Sequence, residues 1–351
     1  MNTYIHNHPF ALESGAILPR LEIAYHTFGT LNAERDNVIW VFHALTANSD
    51  VSDWWDGLFG KDKALDPTRD FIICANMLGS CYGSSSPLSK DPRTDKPFYG
   101  NFPRLVTVRD MVKAHQILAD KLGIRMIKLG IGGSMGGQQL LEWAVMQPER
   151  FERIMPLATN AKHSPWGIAF NESQRMALEA DPTLWKSSRL AGKAGLKAAR
   201  SMALLSYRNY QTYQHSQGDA EESLDNFRVK SYQQYQGEKL VKRFNAQSYY
   251  VLSKAMDSHD LGRGRGGVEK ALSQITARAK VVGIQSDVLF PPEEQRCIAR
   301  NIREAQYSEI DSSYGHDGFL IEWDILNALI LDFLRPVPRK AGLEMRFRQV
   351  G

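Results

Sequence analysis

Ser134 is the residue of this sequence whose surroundings most clearly indicate chemistry. It lies in the run GGSMG (132–136), which fits the pattern G-x-S-x-G. The apolar stretch IKLGI (127–131) precedes this run, and a helical pattern from 135 to 146 follows it. A tight turn between a strand and a helix holds a serine hydroxyl beside the free N–H groups of the helix N-terminus, which bind negative charge. The motif therefore predicts a catalytic nucleophile, with a simple glycine-rich connecting turn as the alternative interpretation.

A candidate acid and a candidate base follow Ser134 in the chain. A serine hydroxyl attacks readily only when a base takes its proton and an acid orients that base. Asp287 and His316 each follow a predicted late strand, and the order serine, acid, histidine is typical of enzymes with this strand–turn–helix motif. Asp311 and Asp317 lie near His316 in the chain, so they are alternative candidates for the acid.

Two backbone N–H groups are needed to bind the oxyanion that forms during acyl transfer. Met135, directly after the nucleophile, is one predicted donor, and Leu45, in the loop after an early strand, is the other. His43 begins the same loop and precedes Ser134, so we expect it to shape this turn rather than to act as the base. The histidines show no H-x-x-x-H spacing, and the sequence predicts no metal site.

Short apolar runs alternate with helical patterns on both sides of the nucleophile motif. Strands are predicted at 38–42, 71–75, 127–131, 154–158, 279–284 and 306–310, and helices at 108–122, 135–146, 293–302 and 319–334. This alternation predicts an α/β fold of the α/β-hydrolase type, with a mostly parallel sheet and helices on both faces.

The strand pattern stops in the middle of the chain, where helices are predicted at 171–180, 190–207 and 246–257. We therefore predict an α/β core from residues 1–163 and 268–334, interrupted by a helical lid insertion at 164–267. A C-terminal tail is predicted at 335–351.

Composition narrows the class of protein. The 43 basic and 39 acidic residues give a net charge of only +4, too balanced to indicate nucleic acid or a membrane surface as a partner. No stretch approaches the roughly 18 apolar residues of a membrane-spanning helix, and the start lacks a signal-peptide pattern. The three cysteines form no paired framework. These features predict a cytoplasmic protein.

Several long blocks of the sequence are more specific than the nucleophile motif. They are HALTANSDVSDWW (43–55), ANMLGSCYGSSSP (75–87), FPRLVTVRDMV (102–112), GIGGSMGGQQLLEWA (130–144), IAFNESQRMAL (168–178), SYQQYQGEKLVKRFNAQSYYVLSKAMD (231–257), GIQSDVLFPPEEQ (283–295) and YGHDGFLIEWD (314–324). Together they make the chain resemble the homoserine O-acyltransferases of the α/β-hydrolase class, from about Leu21 to Leu334.

The resemblance implies transfer of an acetyl group from acetyl-CoA to the hydroxyl of L-homoserine, in methionine biosynthesis. It implies a ping-pong route through an acyl-enzyme, with Ser134, Asp287 and His316 as the catalytic triad. Acetyl-CoA would be a co-substrate, and no permanently bound cofactor is implied. Family precedent also implies a homodimer formed through the lid.

The resemblance further implies that Arg200 and Asp317 hold the amino-acid substrate, with Tyr207 nearby. The chemistry is consistent, because a guanidinium can bind a carboxylate through two hydrogen bonds and a carboxylate can pair with an ammonium. Without the resemblance, Arg200 would be interpreted as a solvated helix residue and Asp317 as a loop residue.

Departures from the usual family wording lie near the substrate region, for example at Asn245 and in a short segment at 182–195. Alternative activities are therefore a serine O-acetyltransferase, a homoserine O-succinyltransferase or an esterase-type hydrolase with the same triad. A binding module that has lost catalysis is a further alternative, which the intact triad argues against. The basic run GRGRG (262–266) is a candidate for contacting CoA phosphates, with an ordinary loop as the alternative.

Overall fold

The computed structural model of the protein describes residues 1–219 and 224–335. Of the C-terminal tail predicted at 335–351, only Arg335 lies within the described residues.

Twelve strands occur in the described part of the chain. They are β1 (Asn2–His6), β2 (Phe10–Ala11), β3 (Ile17–Leu18), β4 (Leu21–Phe28), β5 (Val38–Phe42), β6 (Phe71–Ala75), β7 (Lys90–Asp91), β8 (Lys96–Pro97), β9 (Leu129–Gly133), β10 (Arg153–Leu157), β11 (Arg278–Ile284) and β12 (Gln306–Ile310). Eight of them form one sheet in the order β1-β4-β6-β5-β9-β10-β11-β12. The pairs from β6 to β12 are parallel, whereas β1 and β4 are antiparallel at one edge. The predicted mostly parallel sheet is confirmed.

The helices of the described residues fill the connections between strands. They are α1 (Val51–Trp54), α2 (Val108–Lys121), α3 (Met135–Met146), α4 (Pro165–Glu179), α5 (Lys193–Tyr207), α6 (Tyr210–Gln217), α7 (Arg228–Arg243), α8 (Ala246–Asp257), α9 (Val268–Leu272), α10 (Pro292–Asn301), α11 (Gly318–Ile321) and α12 (Trp323–Leu334). The single helix predicted at 319–334 is in fact two helices, because the backbone of Glu322 leaves the helical region with ψ of 57°. None of the described helices has both the length and the apolar content needed to cross a bilayer.

Apolar side chains of the central strands point alternately to two cores. Trp40 and Phe42 of β5 belong to a cluster that also includes Trp143 of α3, whereas Ile39 and Val41 pack with residues of α12 such as Leu326. This separation follows from the two-residue period of a strand. Helices therefore cover both faces of the sheet, as the sequence predicts.

The segment predicted as the lid, 164–267, contains α4 to α8 and none of the sheet strands among its described residues. Polar caps begin three of these helices. Ser164 Oγ accepts a hydrogen bond from Gly167 N–H, and the side chains of Asn209 and Asn245 accept from Thr212 and Ser248. Such caps satisfy N–H groups that the first helical turn leaves free.

Candidate active site

Ser134 occupies a sharp turn between β9 and α3. Its φ of 56° and ψ of −128° are unusual for a residue with a side chain, and the surrounding backbone holds it there. Ser134 N–H donates to Leu157 O at 3.0 Å, and Thr159 Oγ1 donates to Ser134 O at 2.7 Å. Only a glycine fits at 136, because a Cβ there would lie 2.1 Å from Phe42 O. The turn therefore has the geometry expected of a nucleophile.

Asp287 and His316 are joined by a short hydrogen bond. His316 Nδ1–H donates to Asp287 Oδ2 at 2.6 Å, and Asp287 Oδ1 accepts from the N–H groups of Leu289 at 2.8 Å and Phe290 at 2.9 Å. The other ring nitrogen, His316 Nε2, is buried and has no hydrogen-bond partner among the residues that the structure describes. This nitrogen is therefore available to accept a proton within the cavity that Ser134 also lines.

The two alternative acids do not bind the His316 ring. The carboxylate of Asp317 accepts a hydrogen bond from Arg208 Nε at 3.3 Å, and Asp311 is exposed to solvent. The geometry therefore selects Asp287 from the three candidate acids.

The loop that carries Leu45 is fixed by His43. His43 Nδ1–H donates to Ala44 O at 2.9 Å, and Met77 N–H donates to His43 Nε2 at 3.1 Å. Burial lowers the pKa of His43 to about 4, so the ring is neutral at physiological pH, as these two bonds require. His43 thus shapes the turn, as its position in the sequence suggests.

The N–H groups of Leu45 and Met135 are both free to bind an anion. Neither donates a hydrogen bond to any residue in the described part of the chain, and Leu45 lines the same cavity as Ser134. Met135 is the first residue of α3, where the helix leaves its N–H without an internal acceptor. Both groups are therefore available for the predicted role of oxyanion donors.

A cavity of about 450 Å³ lies above Ser134. All the side chains proposed from the sequence to meet the substrate line it, namely Arg200, Tyr207 and Asp317, together with His316. The lining also includes Asp53, Trp54, Lys239 and Arg243, which were not predicted from the sequence as site residues. Lys239 and Arg243 lie on α7, a helix that the sequence patterns did not predict. Their signals in the sequence are the basic run KLVKR (239–243) and the family block at 231–257 that contains it.

Arg200 and Asp317 give this cavity opposite charges. The Arg200 guanidinium carbon lies 5.4 Å from the centre of the Tyr207 ring, and the side chain donates no hydrogen bond to a described residue. Burial raises the pKa of the Asp317 carboxyl, while the nearby charges of Arg200 and Arg208 act in the opposite direction. Burial also raises the pKa of Tyr207, so its phenol stays protonated.

The glycine–arginine loop at 262–266 lies outside this cavity. Arg263 donates to Glu13 Oε2 at 2.9 Å, and Arg265 donates to Glu142 Oε2 at 3.1 Å. Both guanidinium groups are thus engaged within the protein. Residues 1–219 and 224–335 also contain no group of three or more His, Cys, Asp or Glu side chains placed to hold a metal ion.

Comparison with known proteins identifies the family. A sequence model of the α/β-hydrolase fold matches residues 37–322. A homoserine O-acetyltransferase from Cyclobacterium marinum is 50% identical over 323 residues, which make up 92% of this chain and 92% of that protein. The chain belongs to the homoserine O-acetyltransferase family. This membership confirms the resemblance and the α/β-hydrolase fold inferred from the sequence.

Solved structures place homoserine O-acetyltransferases close to hydrolases in fold. A homoserine O-acetyltransferase from Bacillus anthracis has a TM-score of 0.88 at 24% identity, covering 95% of this chain and 97% of that chain. An acetylester hydrolase from Corynebacterium glutamicum has a TM-score of 0.84 at 25% identity, covering 95% of each chain. The fold therefore does not by itself distinguish transfer from hydrolysis.

Proposed function

We propose that this enzyme transfers an acetyl group from acetyl-CoA to the side-chain hydroxyl of L-homoserine, through an acetyl ester on Ser134. One observation carries the proposal beyond family membership. Arg200, with no hydrogen-bond partner in the described chain, and the carboxylate of Asp317 line the cavity that contains Ser134 and His316. A free amino acid carries a carboxylate and an ammonium, and these two side chains are complementary to them.

The first half of the reaction loads Ser134. His316 Nε2 accepts the proton of Ser134 Oγ while Oγ attacks the thioester carbonyl carbon. The N–H groups of Leu45 and Met135 stabilise the oxyanion, and losing one such donor typically costs about 2.7–4 kcal/mol. The carbon–sulfur bond then breaks, the CoA sulfur takes the proton from His316, and the acetyl group stays on Ser134. Asp287 stabilises the charged His316 ring through its 2.6 Å hydrogen bond.

The second half transfers the acetyl group to the acceptor. The homoserine hydroxyl gives its proton to His316 Nε2 and attacks the acetyl carbon, and the oxyanion forms again beside the same donors. The bond to Ser134 Oγ breaks, Oγ recovers the proton, and O-acetylhomoserine leaves. Arg200 would bind the acceptor carboxylate and Asp317 its ammonium. Since Asp317 directly follows His316 in the chain, binding of the ammonium to Asp317 would hold the acceptor hydroxyl near the base.

An esterase is the main competing function, because an acetylester hydrolase shares the fold. Hydrolysis needs only water as acceptor and gains nothing from a site for a charged amino acid. The pair Arg200 and Asp317 favours the transferase for this reason.

A screen of donors and acceptors tests the proposal. Release of CoA is followed from acetyl-CoA and from succinyl-CoA, each with homoserine, with serine or with water alone. We expect the fastest release with acetyl-CoA and homoserine, and O-acetylhomoserine as the product. A release rate that no amino acid changes would instead identify a hydrolase.

A further inference from the structure

A second cavity, of about 300 Å³, adjoins the active-site cavity and is strongly basic. Arg189, Lys193, Lys242 and Arg243 line it, and none of its described lining residues is acidic. We call these four side chains the basic groove. Arg243 also lines the active-site cavity, together with Lys239, so the groove continues from the mouth of the active site.

Two helix ends of the 164–267 segment form the basic groove. Lys193 is the first residue of α5, and Arg189 lies four residues earlier in the preceding turn. Lys242 and Arg243 are the last two residues of α7. The Arg243 guanidinium donates to Tyr82 Oη at 2.8 Å and also to Thr46 O. Thr46 directly follows Leu45, so Arg243 links the groove to the loop that carries an oxyanion donor.

The four cations of the basic groove have no direct carboxylate partner within the described part of the protein. None of its four cations forms an ion pair with a described carboxylate, and all four are exposed. Glu238, also on α7, forms its ion pair with Lys197 at 2.7 Å, and its charge attracts Lys242 without direct contact. Four neighbouring positive charges repel one another, and an anionic ligand would remove this repulsion.

We propose that the basic groove binds the phosphate groups of the CoA nucleotide, while the pantetheine arm passes Lys239 and Arg243 to reach Ser134. This inference rests on the proposed function, since these phosphates arrive only with a CoA thioester. The pantetheine arm separates the thioester from the diphosphate, so the phosphates must bind away from the cavity floor. Arginine binds phosphate through a planar fork and lysine as a point charge, and the groove contains both.

The glycine–arginine loop is the competing phosphate site in the sequence. Its two arginines are bonded to Glu13 and Glu142, and neither lines either cavity. The structure therefore favours the basic groove over this loop.

Direct binding of adenosine 3′-phosphate 5′-diphosphate, the nucleotide of CoA without its pantetheine arm, is the first test. Isothermal titration calorimetry of the wild-type protein should show binding that weakens as salt is added, because screening weakens exposed charge pairs. The triple variant Arg189→Glu/Lys193→Glu/Lys242→Glu should bind roughly tenfold more weakly or worse. The matched control is Arg300→Glu on α10, an exposed arginine away from both cavities, which should bind as the wild type does.

Donor selectivity is the second test. The second donor is acetyl-pantetheine, which lacks the nucleotide. We compare kcat/KM for acetyl-CoA with kcat/KM for acetyl-pantetheine. Their ratio should fall roughly tenfold or more in the triple variant and stay constant in Arg300→Glu. The exposed positions make unfolding by these changes unexpected, and the thermal unfolding midpoint of each variant checks it.

The outcomes separate the two proposals. Equal affinity and equal selectivity in wild type and triple variant, with normal use of acetyl-CoA, overturn the basic groove alone. A wild-type enzyme that releases no CoA from acetyl-CoA, yet cleaves p-nitrophenyl acetate, overturns the proposed function and with it the groove.

Discussion

Replacing Arg200 with alanine separates amino-acid recognition from acyl chemistry. The Arg200 side chain has no hydrogen bond to a described residue, so its removal leaves no protein group unpaired. The change therefore affects mainly the acceptor carboxylate. It also removes a positive charge that holds down the pKa of Asp317, so the assay is run at about pH 8 to keep this carboxyl ionised.

The expected size of the effect follows from the lost hydrogen bonds. A hydrogen bond to a charged group contributes about 1.5–3 kcal/mol. A guanidinium fork that is partly open to solvent would then contribute about 2–4 kcal/mol in total. Since 1.4 kcal/mol is a factor of ten, kcat/KM for homoserine should fall roughly 30- to 700-fold.

The assay compares homoserine with 3-aminopropan-1-ol, which is homoserine without its carboxylate. The ratio of kcat/KM for the two acceptors should collapse in Arg200→Ala and be intermediate in Arg200→Lys, which keeps the charge but loses the fork. Lys197→Ala is the matched control, since Lys197 lies three residues earlier on α5 and pairs with Glu238 at 2.7 Å. It should leave the ratio unchanged.

Two results would refute this reasoning. One is an equal loss with both acceptors, which would assign Arg200 to the chemistry or to the fold. The other is an unchanged ratio, which would remove Arg200 from the acceptor site.

Three further perturbations test other parts of the account. In the wild type, the KM for homoserine should increase at acid pH, because the raised pKa of Asp317 lets its carboxyl take up a proton as pH falls and the ammonium then loses its partner. Asp317→Asn should raise this KM and remove its dependence on acid pH. An unaltered profile of KM against pH contradicts this. Burial raises the pKa of Glu294 from its ordinary 4.5 to about 7, so the folded state retains a proton that the unfolded chain has lost. The free energy of unfolding should therefore fall by up to roughly 3 kcal/mol as pH rises between these values, and then level off. Glu294→Gln should abolish this dependence on pH. The same dependence of the unfolding midpoint on pH in both proteins would contradict this. Gly136→Ala should lower the thermal unfolding midpoint and reduce kcat on p-nitrophenyl acetate at least roughly 100-fold. The reason is that the new Cβ would lie 2.1 Å from Phe42 O and must displace the loop before Leu45. Wild-type values of both quantities would disprove that contact.

Strands and helices with strong apolar patterns could be predicted from the sequence. The bounds predicted for β5, β6, β12, α3 and α8 are those of the structure. The strand before Ser134 was misplaced by two residues, since β9 spans Leu129–Gly133 and ends in two glycines. A Cβ at Gly132 would lie 2.8 Å from the Gly136 carbonyl carbon, so the strand must contain residues that carry no apolar signal.

Helix α7 shows why part of the cavity could not be predicted. It buries only Gly237 and Leu240, so its sequence lacks the apolar stripe by which a helix is recognised. It nevertheless brings Lys239 and Arg243 to the active-site cavity. Chain order indicated the triad, but only the 2.6 Å bond of His316 to Asp287 decided among three acids. The homodimer and the cytoplasmic location stay predictions.

Mass spectrometry of the rapidly quenched enzyme tests most directly whether Ser134 carries the acyl group. With acetyl-CoA and no acceptor, we predict one added acetyl group on the peptide that contains Ser134, and none in Ser134→Ala. Homoserine should remove this group far faster than water does and yield O-acetylhomoserine. Turnover without acetylation of Ser134, or loss of the group at the same rate with and without homoserine, would contradict the account.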